Sequence, residues 1–479
     1  MNNDLHALNP QDWAALHFGQ TKLNNSCRRT RAQTIASALA SNPGLSIPQL
    51  FTRVYDIKAA YSFFNLEDVT PDNLQAGHQN LVFERINQPG TYLLIEDGSE
   101  FNWNDKTPRA GLGLMHKHYQ GFVLQTSLAV QWFRPEVGQT KRPPSQIIGL
   151  AHQEYYARIP KPESENNQDS KTRKKRTRES QLWERSGTSI GNAPNQANVR
   201  WVRVADRGAD VEFFLRDCVT RGHGFVVRAA QNRCLVNENN ERLPDKLFET
   251  SRTQPSLGEF DLELRARPGQ PARTAKLSLS TTRVHLRSTY QPGSPAGRNT
   301  PITCCVVRVW EANPDVGVQA LEWVLLCDTN VESFDQALEI CLQYVTRWLI
   351  EEYHKCLKTG LGADVLQLET ADRLFAAISV MAVVAVRLLA MKEGARVESD
   401  APVKASGLSV LELQVLSLIL ERELRSVRDV ALAVGRLGGH MNRKSDGLPG
   451  WQSLWAGMRK LQTLVDGVRL AKEIGTFGV

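Results

Sequence analysis

No C-x-x-C pair occurs among the eight cysteines of this 479-residue chain (Cys27, Cys218, Cys234, Cys304, Cys305, Cys327, Cys341 and Cys356). Their spacing matches neither a zinc ribbon nor a dense disulfide framework, and it suits a reducing cytoplasm. No basic stretch followed by an apolar one opens the sequence (MNNDLHALNPQDW), so no secretory leader is expected. Long apolar runs are scarce. The most apolar one lies between Leu374 and Met391 and is interrupted by Arg387. Its uninterrupted part, Leu374 to Val386, falls short of the roughly 20 residues a helix needs to span a bilayer. A buried helix is expected there, and no membrane. Internal repeats are missing as well. Acid is in deficit: 58 Lys and Arg stand against 51 Asp and Glu, a net charge of +7. A chain this basic leans toward anionic partners, either nucleic acid or an anionic membrane surface. With 41% hydrophobic and 23% charged residues it can build real cores, and its length suggests about three domains.

The start of the chain, residues 10–80, has helical texture. Asn42-Pro43-Gly44 stops one helix, and Ser46 with Pro48 starts another. Arg28, Arg29 and Arg31 cluster at the start of the first of these, either as a solvated face or as phosphate contacts. From residue 90 the texture changes. TYLLIED (91–97) and VRWVRVAD (199–206) are apolar β-type runs that end in acid, and GFVVRAA (224–230) follows. Strands terminating in carboxylates suit an α/β sheet whose strand ends carry the site. Between them, six of the eight residues 171–178 are Lys or Arg, within an exposed basic loop at 160–180. That loop is either solvated or a phosphate-contacting arm. A β-rich module is expected over about 225–330, and from Phe334 onward the pattern is helical. The final segment puts Trp451, Leu454, Trp455, Met458, Leu461, Val465 and Val468 on one face. That face must dock on this chain or on a second copy.

One stretch carries the chemistry. In EICLQYVTRWLIEEYHKCLKTG (339–360), Tyr344, Arg347, Glu351, Lys355 and Lys358 follow spacings of 3, 4, 4 and 3. At about 100° per residue they share an arc of roughly 80°. A carboxylate flanked by cations and a phenol suits an anionic polymer drawn to a metal-binding acid. Glu352 points elsewhere and is the weaker candidate. Hard oxygen ligands select Mg²⁺ or Mn²⁺, and a two-metal phosphodiester site needs roughly three carboxylates. Asp97 and Asp206, each read at the end of a strand, are the natural partners of Glu351, although lone strand-end aspartates often serve only as caps.

The string Tyr344-x₂-Arg347-x₃-Glu351-x₆-Lys358 resembles the signature of DDE transposases of bacterial cut-and-paste insertion sequences. More closely, the chain resembles the group around the transposase of composite transposon five. LLIEDGSEFNW would supply the first aspartate, Asp97, and VADRGAD the second, Asp206. SCRRTR, NPGLS and KAAYSFF are similar to that group's DNA-binding module, and RLGGHMNRKSDGLPGWQSLWAG to its C-terminal region. Gly208 stands where the family often has an acid.

The resemblance implies an α/β catalytic core of ribonuclease-H-like fold with an inserted β-rich subdomain, between all-α N-terminal and C-terminal domains. The divisions would be a helical end-recognition domain at 1–75, the catalytic domain at 76–395 and a helical dimerisation domain at 396–479. Asp97, Asp206 and Glu351 would be catalytic and would hold two Mg²⁺ per active site, with Mn²⁺ as substitute. The implied reaction is nicking of one strand at a transposon end, hairpin formation, hairpin opening and strand transfer into target DNA. Trp323 would stack on a flipped base. Tyr344, Arg347 and Lys358 would grip the adjacent phosphate, with Arg228, Trp348 and Lys355 nearby. Arg28, Arg29 and Arg31 would contact DNA. The partners would be double-stranded DNA and a second protomer in a synaptic complex, in the bacterial cytoplasm at the nucleoid. Two other readings remain: a catalytically silent DNA-binding regulator, and a ribonuclease-H-like nuclease without strand transfer.

Overall fold

The computed structural model describes residues 5–104, 107–115, 119–159, 178–264, 271–288, 300–315, 317–397, 400–443 and 446–476. Five helices come first: α1 (Pro10–Phe18), α2 (Ser26–Ser41), α3 (Ile47–Leu50), α4 (Val54–Phe63) and α5 (Pro71–Ile86). The polar side chains that start them are those a helix N-terminus needs. Asn9, Asn25 and Thr70 accept from backbone N–H groups of the first turns, and Ser46 forms a capping box with Gln49.

The core sheet follows. Its strands are β1 (Gly90–Trp103), β2 (Gly113–Leu114), β3 (Gln120–Trp132), β4 (Ser145–Tyr156), β5 (Val199–Ala205) and β6 (Gly224–Arg228). Helices α6 (Leu182–Ile190) and α7 (Glu212–Arg221) come just before and just after β5. The spatial order is β4-β3-β1-β5-β6. Strands β1, β5 and β6 run parallel, while β3 is antiparallel to both β1 and β4. The β-rich stretch continues this sheet: β7 (Cys234–Val236), β8 (Arg242–Lys246), the short helix α8 (Leu247–Arg252), β9 (Gly258–Leu264), β10 (Arg273–Leu286), β11 (Ile302–Trp310) and β12 (Glu322–Cys327). Strand β12 pairs antiparallel with β6, so the twelve strands form one sheet. The basic run at 171–178 lies outside the described residues except for Arg178.

Alternation along β1 sorts its residues to two faces. Leu93 and Ile95 join the main core, beneath helices α9 (Phe334–Thr346), α10 (Trp348–Lys355) and α11 (Ala371–Val397). Tyr92 and Leu94 join a second core with Ile190 and Trp201 on the opposite face. Helix α11 is longer than the apolar run suggested, because Arg387 does not end it. That arginine is 1% exposed and donates to the carbonyls of His6, Leu8 and Gly407. Residues 371–396 are long and apolar enough to cross a membrane, but most of this helix is buried inside the chain, against β4, α5 and α2.

Helices α12 (Val410–Ile419), α13 (Val427–Leu437) and α14 (Trp451–Thr476) close the fold. The apolar face of α14 is spent within this chain. Met458, Leu461 and Val465 pack with Val430, Val434 and Leu416, and the stacked Trp451 and Trp455 reach the main core. A Cβ at Gly360 would overlap the Trp455 indole, so glycine there admits the ring.

Candidate active site and nucleic-acid interface

Strands β1 and β5 pair in parallel register up to Glu96↔Ala205. Asp97 and Asp206 are the next residue on each strand, on the face occupied by Val202, Val204 and Ile95. The two aspartates therefore stand side by side where the parallel pairing stops. Strand β1 itself does not end at Asp97. It runs on to Trp103 as the antiparallel partner of β3, because Phe101 and Trp103 carry the buried alternation further. Asp97 is thus mid-strand, a correction to its reading as a terminus. Asp206 follows β5 directly, and its Oδ1 accepts from Gly208 N at 2.8 Å.

The third acid arrives on α10, which packs across β1. The stretch from Tyr344 to Lys358 is not one uniform helix. At Arg347 it tightens: Arg347 N donates to Tyr344 O and Ile350 N donates to Arg347 O, each three residues back. At Cys356–Gly360 it widens into a π-helical turn, where Leu361 N donates to Cys356 O. Such turns recur at functional sites because they re-aim side chains. Here the slip sends Lys358 to the rim of β1. Its Nζ donates to Glu100 O at 2.5 Å and lies 4.8 Å from the Phe101 ring centre. Lys355 is exposed.

Arg347 joins the acids. Its Nη2 donates to Glu351 Oε1 at 2.5 Å, and its Nη1 lies 3.5 Å from Asp97 Oδ2. Burial pushes the Asp97 carboxyl up to about 6. The guanidinium of Arg347 and the Gly98 N–H pull it back, while the charges of Asp206 and Glu351 push the same way as burial. Asp97 therefore senses both of the other acids. Their oxygens suit a hard divalent cation in chemistry. In arrangement, Arg347 bridges Asp97 and Glu351, and among the described residues no group of three His, Cys, Asp or Glu is gathered closely enough for a metal.

An aromatic and cationic cluster flanks the acids. Trp323 on β12 meets Tyr344 edge to face, with ring centres 5.4 Å apart. Arg347 lies 5.8 Å from the Tyr344 ring centre. Arg228, at the end of β6, reaches the Tyr344 hydroxyl and donates to Glu322 O at 3.2 Å. Burial lowers the Arg228 pKa, and the neighbouring charges of Arg207 and Arg347 add to that. Arginines this close to one another make a place where an anion is welcome.

Other predicted residues have structural partners. Trp348 donates to Glu352 at 3.3 Å. Glu352 also pairs with Lys392 and accepts from Trp451 Nε1 at 2.8 Å, which ties α10 to α11 and α14. In the N-terminal module Arg28 pairs with Asp68 at 2.5 Å and Arg31 with Asp56 at 3.2 Å, while Arg29 donates to Leu23 O at 3.1 Å. All three are half-buried and brace α2 from within.

Sequence reading missed an ion-paired trio behind the acids. Arg203 on β5 donates to both oxygens of Glu96 and pairs with Asp217 at 2.9 Å. The available signal was a charge inside each of two apolar runs, TYLLIED and VRWVRVAD. It missed likewise the buried His6, His17 and His78, which seat the N-terminal module on β4.

Among known families, the model described as transposase DNA-binding matches residues 10–69, the stretch that contains α1 to α4 and Arg28, Arg29 and Arg31. A helical N-terminus of that description, ahead of a sheet-rich core and C-terminal helices, supports a DNA-binding transposase with DNA as its partner.

Proposed function

We propose that this protein is a metal-dependent DNA transposase of the DDE kind, built on a ribonuclease-H-like core. The observation that carries the reading is the juxtaposition of Asp97 and Asp206 on neighbouring parallel strands, with Glu351 close enough to raise the Asp97 pKa. The sheet order β4-β3-β1-β5-β6, with its mixed directions, is compatible with the fold. Asp97, Asp206 and Glu351 would hold two Mg²⁺ or Mn²⁺ ions per site. Bound there, such ions supply charge that activates water and steadies the leaving oxygen of a phosphodiester.

The chain's own residues do the rest. Arg347, Arg228 and Lys358 bind the phosphate beside the cut, and Tyr344 orients the two arginines around it. Trp323 on β12, with Trp348 at the start of α10, offers ring surface for a base pulled from the stack during the hairpin step. Lys355 and the α2 arginines extend the contact along the duplex. Two protomers, each on one transposon end, form the synaptic homodimer. Residues 396–479 would carry the pairing, and Leu464, Leu470 and Ile474 on α14 are exposed. The protein acts in the cytoplasm, at the nucleoid.

The test is incubation of purified protein with a duplex carrying the DNA that borders the gene, plus Mg²⁺ or Mn²⁺. Nicked, hairpin and strand-transfer products are expected, and none from Asp97→Ala. Binding without cleavage would instead identify a silent regulator. Cleavage without joining to a target plasmid would identify a nuclease.

A further inference from the structure

The acids of the site already have a counter-charge. Arg347 binds Glu351 at 2.5 Å and reaches Asp97 at 3.5 Å, and its side chain is only 14% exposed. A guanidinium stays charged at any pH a protein tolerates, so it leaves such a place only by moving. Arg347 stands between Asp97 and Glu351, and Arg228 and Lys358 add positive charge nearby. A divalent cation entering now would compete with the guanidinium for the same carboxylate oxygens and would meet its positive charge. One added phosphate changes both terms. It supplies the missing negative charge, and it offers Arg347 an acceptor that guanidinium binds in a fork. Arg228 and the Tyr344 ring, 5.8 Å from the guanidinium, mark the side on which that phosphate is welcome.

We propose that Arg347 is an internal counterion that keeps divalent metal out of the site until a DNA phosphate draws it away. Metal uptake is then coupled to DNA binding, and by linkage each strengthens the other by the same factor. The inference rests on the metal-dependent reading above and adds an order of events to it. It also makes Arg347 a positioning residue with two successive partners, first the carboxylates and then the phosphate.

Free Mn²⁺, followed by its electron paramagnetic resonance signal in a titration of the full chain, tests this without any cleavage assay. The probe is Mn²⁺ alone, then Mn²⁺ with a duplex carrying the DNA that borders the gene. The wild type is expected to bind Mn²⁺ about tenfold more tightly with the duplex than without it. Arg347→Gln is expected to bind Mn²⁺ tightly without DNA and to gain little from it. Arg347→Met serves the same purpose should the Gln variant misfold. Equal Mn²⁺ affinity of wild type and both variants in the absence of DNA overturns the counterion role and leaves the metal-dependent reading standing. No Mn²⁺ binding by any of the proteins, with or without duplex, overturns both.

Discussion

The guanidinium of Arg203 donates to both carboxylate oxygens of Glu96, at 2.6 and 2.9 Å, and neither side chain has any exposure. Asp217, the carbonyl of Trp183 and the Cys218 sulfur take its remaining donors, and the Phe214 ring lies 4.3 Å away. The pair joins β1 to β5 one residue before Asp97 and three before Asp206, on the opposite face of the sheet. It therefore fixes the register that sets the two aspartates side by side. Arg203→Met strands the buried Glu96 carboxylate, while Asp217 keeps Arg221, so a loss of about 3–5 kcal/mol is expected. Urea unfolding checks this, and a loss below about 1 kcal/mol would show that the trio is not a strut.

Asp97 should tie stability to pH through its raised pKa. Folding lifts the carboxyl from 3.8 to about 6, so the folded state favours the proton. The resulting stability is complete below the unfolded pKa and is lost as pH rises through 6. Asp97→Asn is spared that loss. In chelator, the variant should melt higher than the wild type above pH 6, by roughly 3 kcal/mol at most, and match it near pH 4. A gain that persists at pH 4 would point to some other cause.

The histidines tie stability to pH in the other direction. Leu150 N donates to His78 Nε2, which leaves the His78 proton on Nδ1 for His17. His17 in turn donates from Nε2 to Leu5 O. Each ring is neutral and fully used. Burial lowers the His6 pKa to about 4 and that of His17 to about 3, and puts His78 well below its usual value. Depressed histidines stabilise the fold above 6.5, and that stability is lost as pH falls toward 4. The melting temperature should drop steeply across this window. His78→Gln can donate and accept as the ring does but cannot charge, so its melting curve should depend less on pH. An unchanged slope would refute the role of this cluster.

Glu352, Lys392 and Trp451 close the tail onto the helix that bears the site. Trp451→Ala empties a slot that is 5% exposed, and a cost of about 3–5 kcal/mol is expected. Hydrogen exchange should show α14 losing protection before the sheet does. Simultaneous loss everywhere would mean that the tail is not a separate unit.

Much of the fold was legible because local chemistry announced it. Ser46 with Pro48 starts a helix, Asn42-Pro43-Gly44 ends one, and the apolar runs at 91–97 and 199–206 are strands. The rest depended on distant partners. Asp97 sits mid-strand because β3 extends the pairing to Trp103. Arg387 stays inside a helix because three carbonyls from elsewhere receive it. The π turn at Cys356–Gly360 abuts Trp455, about a hundred residues further on, and no spacing rule reveals it. At the site, helical spacing put Arg347 beside Glu351. That the same arginine also reaches Asp97 required the strand and the helix to be packed.

Glu351 and Glu352 are consecutive, yet one faces Asp97 and Arg347 while the other holds Lys392 and Trp451. One added residue between Thr346 and Glu351 turns everything after it by about 100°. It would carry Glu351 to the place beside Lys392 and Trp451 and drive Glu352 on toward the buried position of Tyr353. The reading frame of that helix is therefore a shared constraint: length variation there costs both the chemistry and the architecture.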